Sequence, residues 1–232
     1  MDASNNYLNN IDAFKNDFNL ILIDLPGHGL SGELDKYTIE NYVTTVTKFL
    51  YEINVDVDII IGHSLGSIIA SKIVKKINNK VILVGPPKTK SGIWRKGLIF
   101  LLRFLNAIRL LPIIIFVLKN SIVFRRFWSK LMISNDTKSL NNKITFDNIK
   151  LTKTKAIIDS IFEIFEEKFY IRDEDITDQT CVIVGGNDPV SELDSYDKVE
   201  SRNRFEVSGS KHAPNRTSAE EFNRIAVEGI KG

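Results

Sequence analysis

The chain has 232 residues, enough for one domain or for one domain carrying an insertion. With 43% apolar and 26% charged residues it is ordinary globular material, which excludes disordered and fibrous classes. A formal net charge of +2 favours no particular partner, and Cys181, the single cysteine, excludes a disulfide framework or a cysteine-built metal site and fits a reducing cytoplasm.

The first ten residues, MDASNNYLNN, lack the basic head and apolar core of a signal peptide. Residues 19–24 (NLILID), ended by Leu25-Pro26-Gly27-His28-Gly29, read as a buried strand and a turn. Ile39, Tyr42, Val43, Val46, Phe49 and Leu50 have the spacing of a helix over 38–53. A second strand is predicted over 57–61, a helix over 66–77, and a third strand over 80–84, stopped by Gly85-Pro86-Pro87. A fourth strand, 181–184, follows only after roughly ninety residues, and a fifth covers 204–207. Ser218 and Glu221, at capping-box spacing, open a last helix that runs to about residue 230. Strands alternating with helices predict an α/β fold built on a doubly wound, mostly parallel sheet. The long gap predicts an inserted helical subdomain over 88–175, with 1–87 and 176–232 forming the core.

The insertion is unlike the rest of the chain. From Lys88 to Lys130 there are ten Lys or Arg and no Asp or Glu, whereas the remainder holds 21 basic against 29 acidic residues. Its longest charge-free apolar run, 110–118, is nine residues, against the ~20 of a spanning helix, so no transmembrane anchor is expected. Between Arg95 and Ile108, Arg95, Lys96, Arg103 and Asn106 fall in a strip of about 100° on a helical projection. Leucine, isoleucine and phenylalanine take most of the rest. Such a helix suits peripheral contact with an anionic membrane, and the competing expectation is that its apolar face packs on the core. Because these charges are interleaved with aliphatic residues, nucleic-acid binding is not expected. Toward the end of the insertion, Glu163, Glu166 and Glu167 read as a solvated helix face without metal-ligand spacing, and Cys181 reads as a small core residue.

Chemistry concentrates in Gly62-His63-Ser64-Leu65-Gly66, a G-x-S-x-G between a predicted strand and a predicted helix. A serine on such a turn is exposed on strained backbone, and the elbow glycines Gly62 and Gly66 admit close backbone approach. The Leu65 N–H, at the helix start, is placed to donate to a developing oxyanion. A serine nucleophile needs a base and an acid that orients it. His28 follows an early strand and His63 adjoins the nucleophile, so His212, in the loop after the last strand, is the expected base. Asp188, just beyond the fourth strand, is a better acid than Asp178 before it or Asp194 further on. The order Ser64, Asp188, His212 differs from those of the chymotrypsin and subtilisin types.

With Asp24-Leu25-Pro26-Gly27-His28-Gly29-Leu30-Ser31, Gly185-Gly186-Asn187-Asp188-Pro189 and Gly209-Ser210-Lys211-His212 added to the serine motif, the chain resembles the α/β-hydrolase superfamily, close to its lid-bearing esterase, lipase and carbon–carbon-bond hydrolase branch. The resemblance implies Ser64 as nucleophile, His212 as base, Asp188 as acid, and no metal or cofactor. It makes the insertion a lid and gives residues 24–31 a structural role. Serine at the elbow, where relatives that open epoxides or displace halides carry aspartate, argues against those reactions. The resemblance also implies a strand ending in His-Gly some two dozen residues before Asp24, lying between the first two predicted strands and supplying a second oxyanion N–H. Residues 1–232 contain no such piece, so they are expected to be poorly soluble and weakly active alone and restored by an upstream extension that supplies it.

The expected function is a cytoplasmic serine hydrolase, carboxylesterase- or lipase-like, that cleaves a small-molecule ester of an apolar acyl group. The alternatives are a carbon–carbon-bond hydrolase using the same triad, disfavoured by so apolar a lid because those substrates are dicarboxylates, and a catalytically impaired hydrolase-fold protein that binds a lipid or a partner.

Overall fold

The computed structural model describes residues 3–77, 79–87, 93–136, 139–165 and 170–231. Four parallel strands, β1 (Ile59–His63), β2 (Lys80–Val84), β3 (Thr180–Gly185) and β4 (Arg204–Val207), lie side by side in chain order. Helices α1 (Ile11–Phe14) and α2 (Ile39–Glu52) precede β1, and α3 (Leu65–Ile77) joins β1 to β2. Between β2 and β3 come α4 (Ile93–Ala107), α5 (Leu110–Asn120), α6 (Ile122–Met132), α7 (Leu140–Leu151) and α8 (Thr154–Phe165). After β4 the chain ends in α9 (Pro214–Thr217) and α10 (Ala219–Lys231).

The continuous apolar runs of β2 and β3 are explained by burial on both faces of the sheet. Successive side chains point to opposite sides. Val81, Leu83, Val182 and Val184 therefore pack with Ala70 and Val74 of α3, while Ile82, Val84, Cys181 and Ile183 pack with Phe222, Ile225 and Ala226 of α10 and with Phe14. Thr38 caps α2, its hydroxyl accepting from the Asn41 N–H at 3.2 Å. The face Ile39, Tyr42, Val43, Val46 then closes on Ile68, Ile69 and Ile73 of α3. Burial pushes the Cys181 thiol up to about 12, as suits a packed core residue and not a nucleophile.

Two expectations are corrected. Residues 19–24 form no strand: no described strand pairs with them, and without a ladder the apolar run stays irregular. Leu20, Ile21 and Leu22 are exposed, while Ile23 and Leu25 pack beside α2 and α3. Glu163 is not on a solvated face but buried, and its Oε2 accepts from the Ile39 N–H at 3.1 Å, supplying a carboxylate to the N-terminus of α2. One turn earlier on α8, Asp159 accepts from the Tyr37 N–H at 3.0 Å. Glu166 and Glu167 lie outside the described residues, as does Lys88, the predicted start of the insertion. Among the described residues no single helix is long and apolar enough to cross a membrane.

Candidate active site

β1 delivers its last residue, His63, to a turn in which Ser64 has φ +53°, a left-handed conformation that costs a non-glycine residue about 1–2 kcal/mol. The surroundings hold it there. The Ser64 N–H donates to Val84 O at 2.9 Å, and the Ser64 carbonyl accepts from both the hydroxyl and the N–H of Ser67. At Gly62 a Cβ would collide with the Gly66 carbonyl, so only glycine lets the strand and the first turn of α3 come this close. At Gly66 a Cβ would meet nothing outside its own helix, and the steric reason for glycine is absent there. Leu65 is the first residue of α3, so its N–H has no acceptor within the helix and stands beside the serine.

The turn after β4 carries His212 and the turn after β3 carries Asp188, two neighbouring strands ending at one edge of the sheet. Gly185 makes their approach possible, because a Cβ there would strike the Lys211 carbonyl. The Ser64 hydroxyl lies 2.9 Å from His212 Nε2, and His212 Nδ1 lies 2.8 Å from Asp188 Oδ2 and 3.1 Å from Oδ1. Asp188 Oδ1 also accepts from the N–H groups of Val190 at 2.8 Å and Ser191 at 3.2 Å. Burial pushes the Asp188 carboxyl up, but the His212 ring and these two N–H groups outweigh it and hold the acid below its ordinary value. An ionised carboxylate can only accept, so the Nδ1 proton of His212 faces Asp188 and the Nε2 lone pair faces the serine. Ser64 is half-buried and the side chains of both its partners are buried, which leaves the hydroxyl as the accessible end of the chain.

The helices between β2 and β3 reach this site. At the end of α6, Met132 O accepts from the His212 N–H at 2.9 Å, and Lys130 O accepts from Lys211 Nζ. Met132, Ile133 and Trp128 pack with Ala213 and Val190 around the histidine and acid loops.

The other sequence candidates are placed elsewhere. His28 is buried with Nδ1 3.1 Å from Pro26 O, and Asp24 accepts from the N–H groups of Ser4 and Leu30, so residues 24–31 form a structured turn. His63 has a part that its position beside the serine did not reveal. Its Nε2 donates to the His212 carbonyl at 2.6 Å, and its Nδ1 accepts from Asn6 Nδ2 at 3.2 Å. The rings of the two histidines are 4.9 Å apart.

Asn6 belongs to a buried amide network that ties the N-terminal 3-10 helix Ser4–Asn10 to the back of the site. Asn215 Nδ2 donates to Asn6 O at 2.8 Å, Asn10 Nδ2 donates to Asn215 O at 2.9 Å, and Asn5 and Asn148 exchange amide hydrogen bonds. The His-Gly piece to which the resemblance assigns the second oxyanion N–H does not occur in residues 1–232, and Met1 and Asp2 lie outside the described residues. Among the described residues no group of three or more His, Cys, Asp or Glu is placed to hold a metal ion.

Comparison with known proteins gives the same architecture. A model of the alpha/beta hydrolase family matches residues 6–225. The enol-lactonase of Burkholderia xenovorans LB400 superposes with a TM-score of 0.77 at 13% identity over 100% of this chain and 88% of that one. An esterase from Exiguobacterium antarcticum gives 0.73 at 17% identity, again over 100% and 88%. A bromoperoxidase from Bacillus anthracis gives 0.73 at 16% identity over 99% and 88%. By sequence, the dihydrolipoyllysine-residue acetyltransferase component of the acetoin cleaving system of Cupriavidus necator is 29% identical over 80 residues, 34% of this chain. The match spans 21%, about a fifth, of that protein's length.

Proposed function

Because the chain belongs to the alpha/beta hydrolase family, we propose that it is a serine hydrolase that cleaves a carboxylic ester of an apolar acyl group through Ser64, His212 and Asp188. The observation that carries this reading is the unbroken hydrogen-bond chain from the Ser64 hydroxyl through His212 to a buried, ionised Asp188.

In the proposed reaction Ser64 Oγ attacks the ester carbonyl while His212 Nε2 takes its proton. Asp188 fixes the ring and stabilises the imidazolium that forms. The carbonyl oxygen becomes an oxyanion, which the Leu65 N–H and the start of α3 stabilise. His212 returns the proton to the departing alcohol, leaving Ser64 acylated. Water, deprotonated by the same histidine, then attacks the acyl group, and His212 passes that proton to the departing Ser64 Oγ as the acid is released. A protonated imidazole cannot accept the Ser64 proton, so turnover should fall on acidification.

A series of chromogenic esters of increasing acyl length tests the substrate class. The reading expects kcat/KM to rise from acetyl to longer chains, because each methylene buried at the site contributes up to about 0.8 kcal/mol, roughly fourfold. A profile that is flat, or that favours acetate alone, would contradict an apolar acyl pocket. Turnover confined to vinylogous diketo acids, with none on esters, would favour the carbon–carbon-bond reading.

A further inference from the structure

We propose that the outward face of the α4–α5 corner is a docking surface for an anionic lipid membrane. On α4, the half-buried Ile99, Leu102 and Leu105 are turned inward, while Leu101, Phe104, Ile108 and Phe100 (75% exposed) point to solvent within about 100° of the helix circumference. The apolar face of α4 is thus divided, one side turned inward and the other left to solvent. On α5, Leu111 is buried, and Ile113, Phe116 and Val117 are exposed at the spacing of a single face.

The two helices, 15 and 11 residues long, meet at a bend of 98° between Gly97–Ala107 and Leu110–Asn120. Together they have the length and apolarity of a membrane segment, but a right-angled pair cannot cross a bilayer as one rod. Its geometry suits a corner pressed into one leaflet, apolar side chains among the acyl chains and polar groups at the headgroups. The corner is turned by Arg109 at φ +59°, a conformation that glycine adopts freely and arginine only at a cost. What arginine adds is an exposed guanidinium at the vertex, between the two apolar faces.

Charge identifies the partner. Arg103 and Arg109 are exposed on this corner, and Arg126 and Lys130 are exposed on α6. No acidic residue occurs from 88 to 130, whereas the rest of the chain is net acidic. An anionic surface therefore attracts this corner and repels the remainder, which sets the orientation. The side chains of Arg95 and Lys96 lie outside the described ones.

Flotation of the full chain with vesicles of phosphatidylcholine alone, or of phosphatidylcholine mixed with phosphatidylglycerol, tests the proposal. The protein should rise with the mixed vesicles and not with the neutral ones, and added salt should release it. Replacing Arg103 and Arg109 with glutamine should weaken partition by about fivefold for each charge removed. The double variant Phe100→Glu, Phe116→Glu should abolish flotation with its circular dichroism unchanged; if it misfolds, the arginine variants carry the test alone. No flotation, equal recovery with both vesicles, or a concentration-dependent dimer in place of flotation would overturn it. Flotation requires no turnover, so its failure and the failure of the ester-hydrolase reading are told apart.

Discussion

Ser64→Ala is expected to lower ester turnover by roughly 10³-fold or more, to what binding and the oxyanion donor alone provide, with the fold unchanged. The hydroxyl faces His212 Nε2, and the turn is held through the Ser64 backbone, so alanine removes the nucleophile and little else. His212→Ala should do comparable damage, because without the imidazole the hydroxyl has no base. Ser64→Gly separates chemistry from folding. Glycine relieves the cost of φ +53° while adding freedom to the unfolded chain, so this variant should be as inactive as Ser64→Ala and more stable by up to about 1 kcal/mol. Thermal melts beside a turnover assay check both halves. Turnover left intact in purified Ser64→Ala would end the serine-hydrolase reading.

Asp188→Asn should also lower turnover steeply, by on the order of 10⁴-fold, and the reason lies in the two N–H groups behind the acid. Val190 and Ser191 both donate to Oδ1, so an asparagine would keep its carbonyl oxygen toward them and turn its amide hydrogens toward His212 Nδ1. The ring would then accept at Nδ1 and carry its proton on Nε2, facing the serine with a donor in place of a base. The variant should therefore fold and bind substrate while kcat falls, with little change in KM.

The same acid carries a stability signature. Its carboxyl is held below the ordinary value of 3.8 in the folded chain, so the stabilisation it contributes is complete above that value and drains away as pH falls below it. Acid melts of the wild-type chain should show this loss, and those of Asp188→Asn should lack this part of it.

The sequence carried the centre of the sheet and the serine motif well, for physical reasons. β2 and β3 are continuous apolar runs because both faces are buried, and α2 announces itself by a single apolar face. Residues 19–24 have the same apolar look, yet a strand exists only where a partner accepts its hydrogen bonds, and apolarity does not report that. Glu163 resembled a solvated charge because the N–H it meets lies 124 positions earlier. The asparagine network around Asn6, Asn10 and Asn215 was illegible for a related reason. Amides carry no periodic signal, and their burial depends on partners about 200 residues away. The sequence shows only that His63 adjoins the serine, whereas in the structure it holds the His212 carbonyl. That one side of the α4 apolar face turns outward could not be read from its period, which is the same whether a stripe meets a core or faces away from one.

A Ser64 activated by His212 and Asp188 should react covalently with an electrophile that mimics the ester. A fluorophosphonate ester reacts with an activated serine by forming a phosphorus–oxygen bond and releasing fluoride, needs no knowledge of the natural substrate, and adds a defined mass. Intact-mass and peptide analysis of the full chain should find one adduct, on Ser64, absent from Ser64→Ala and formed far more slowly in Asp188→Asn. A folded wild-type chain that stays unlabelled, or an adduct that persists in Ser64→Ala, would contradict the account.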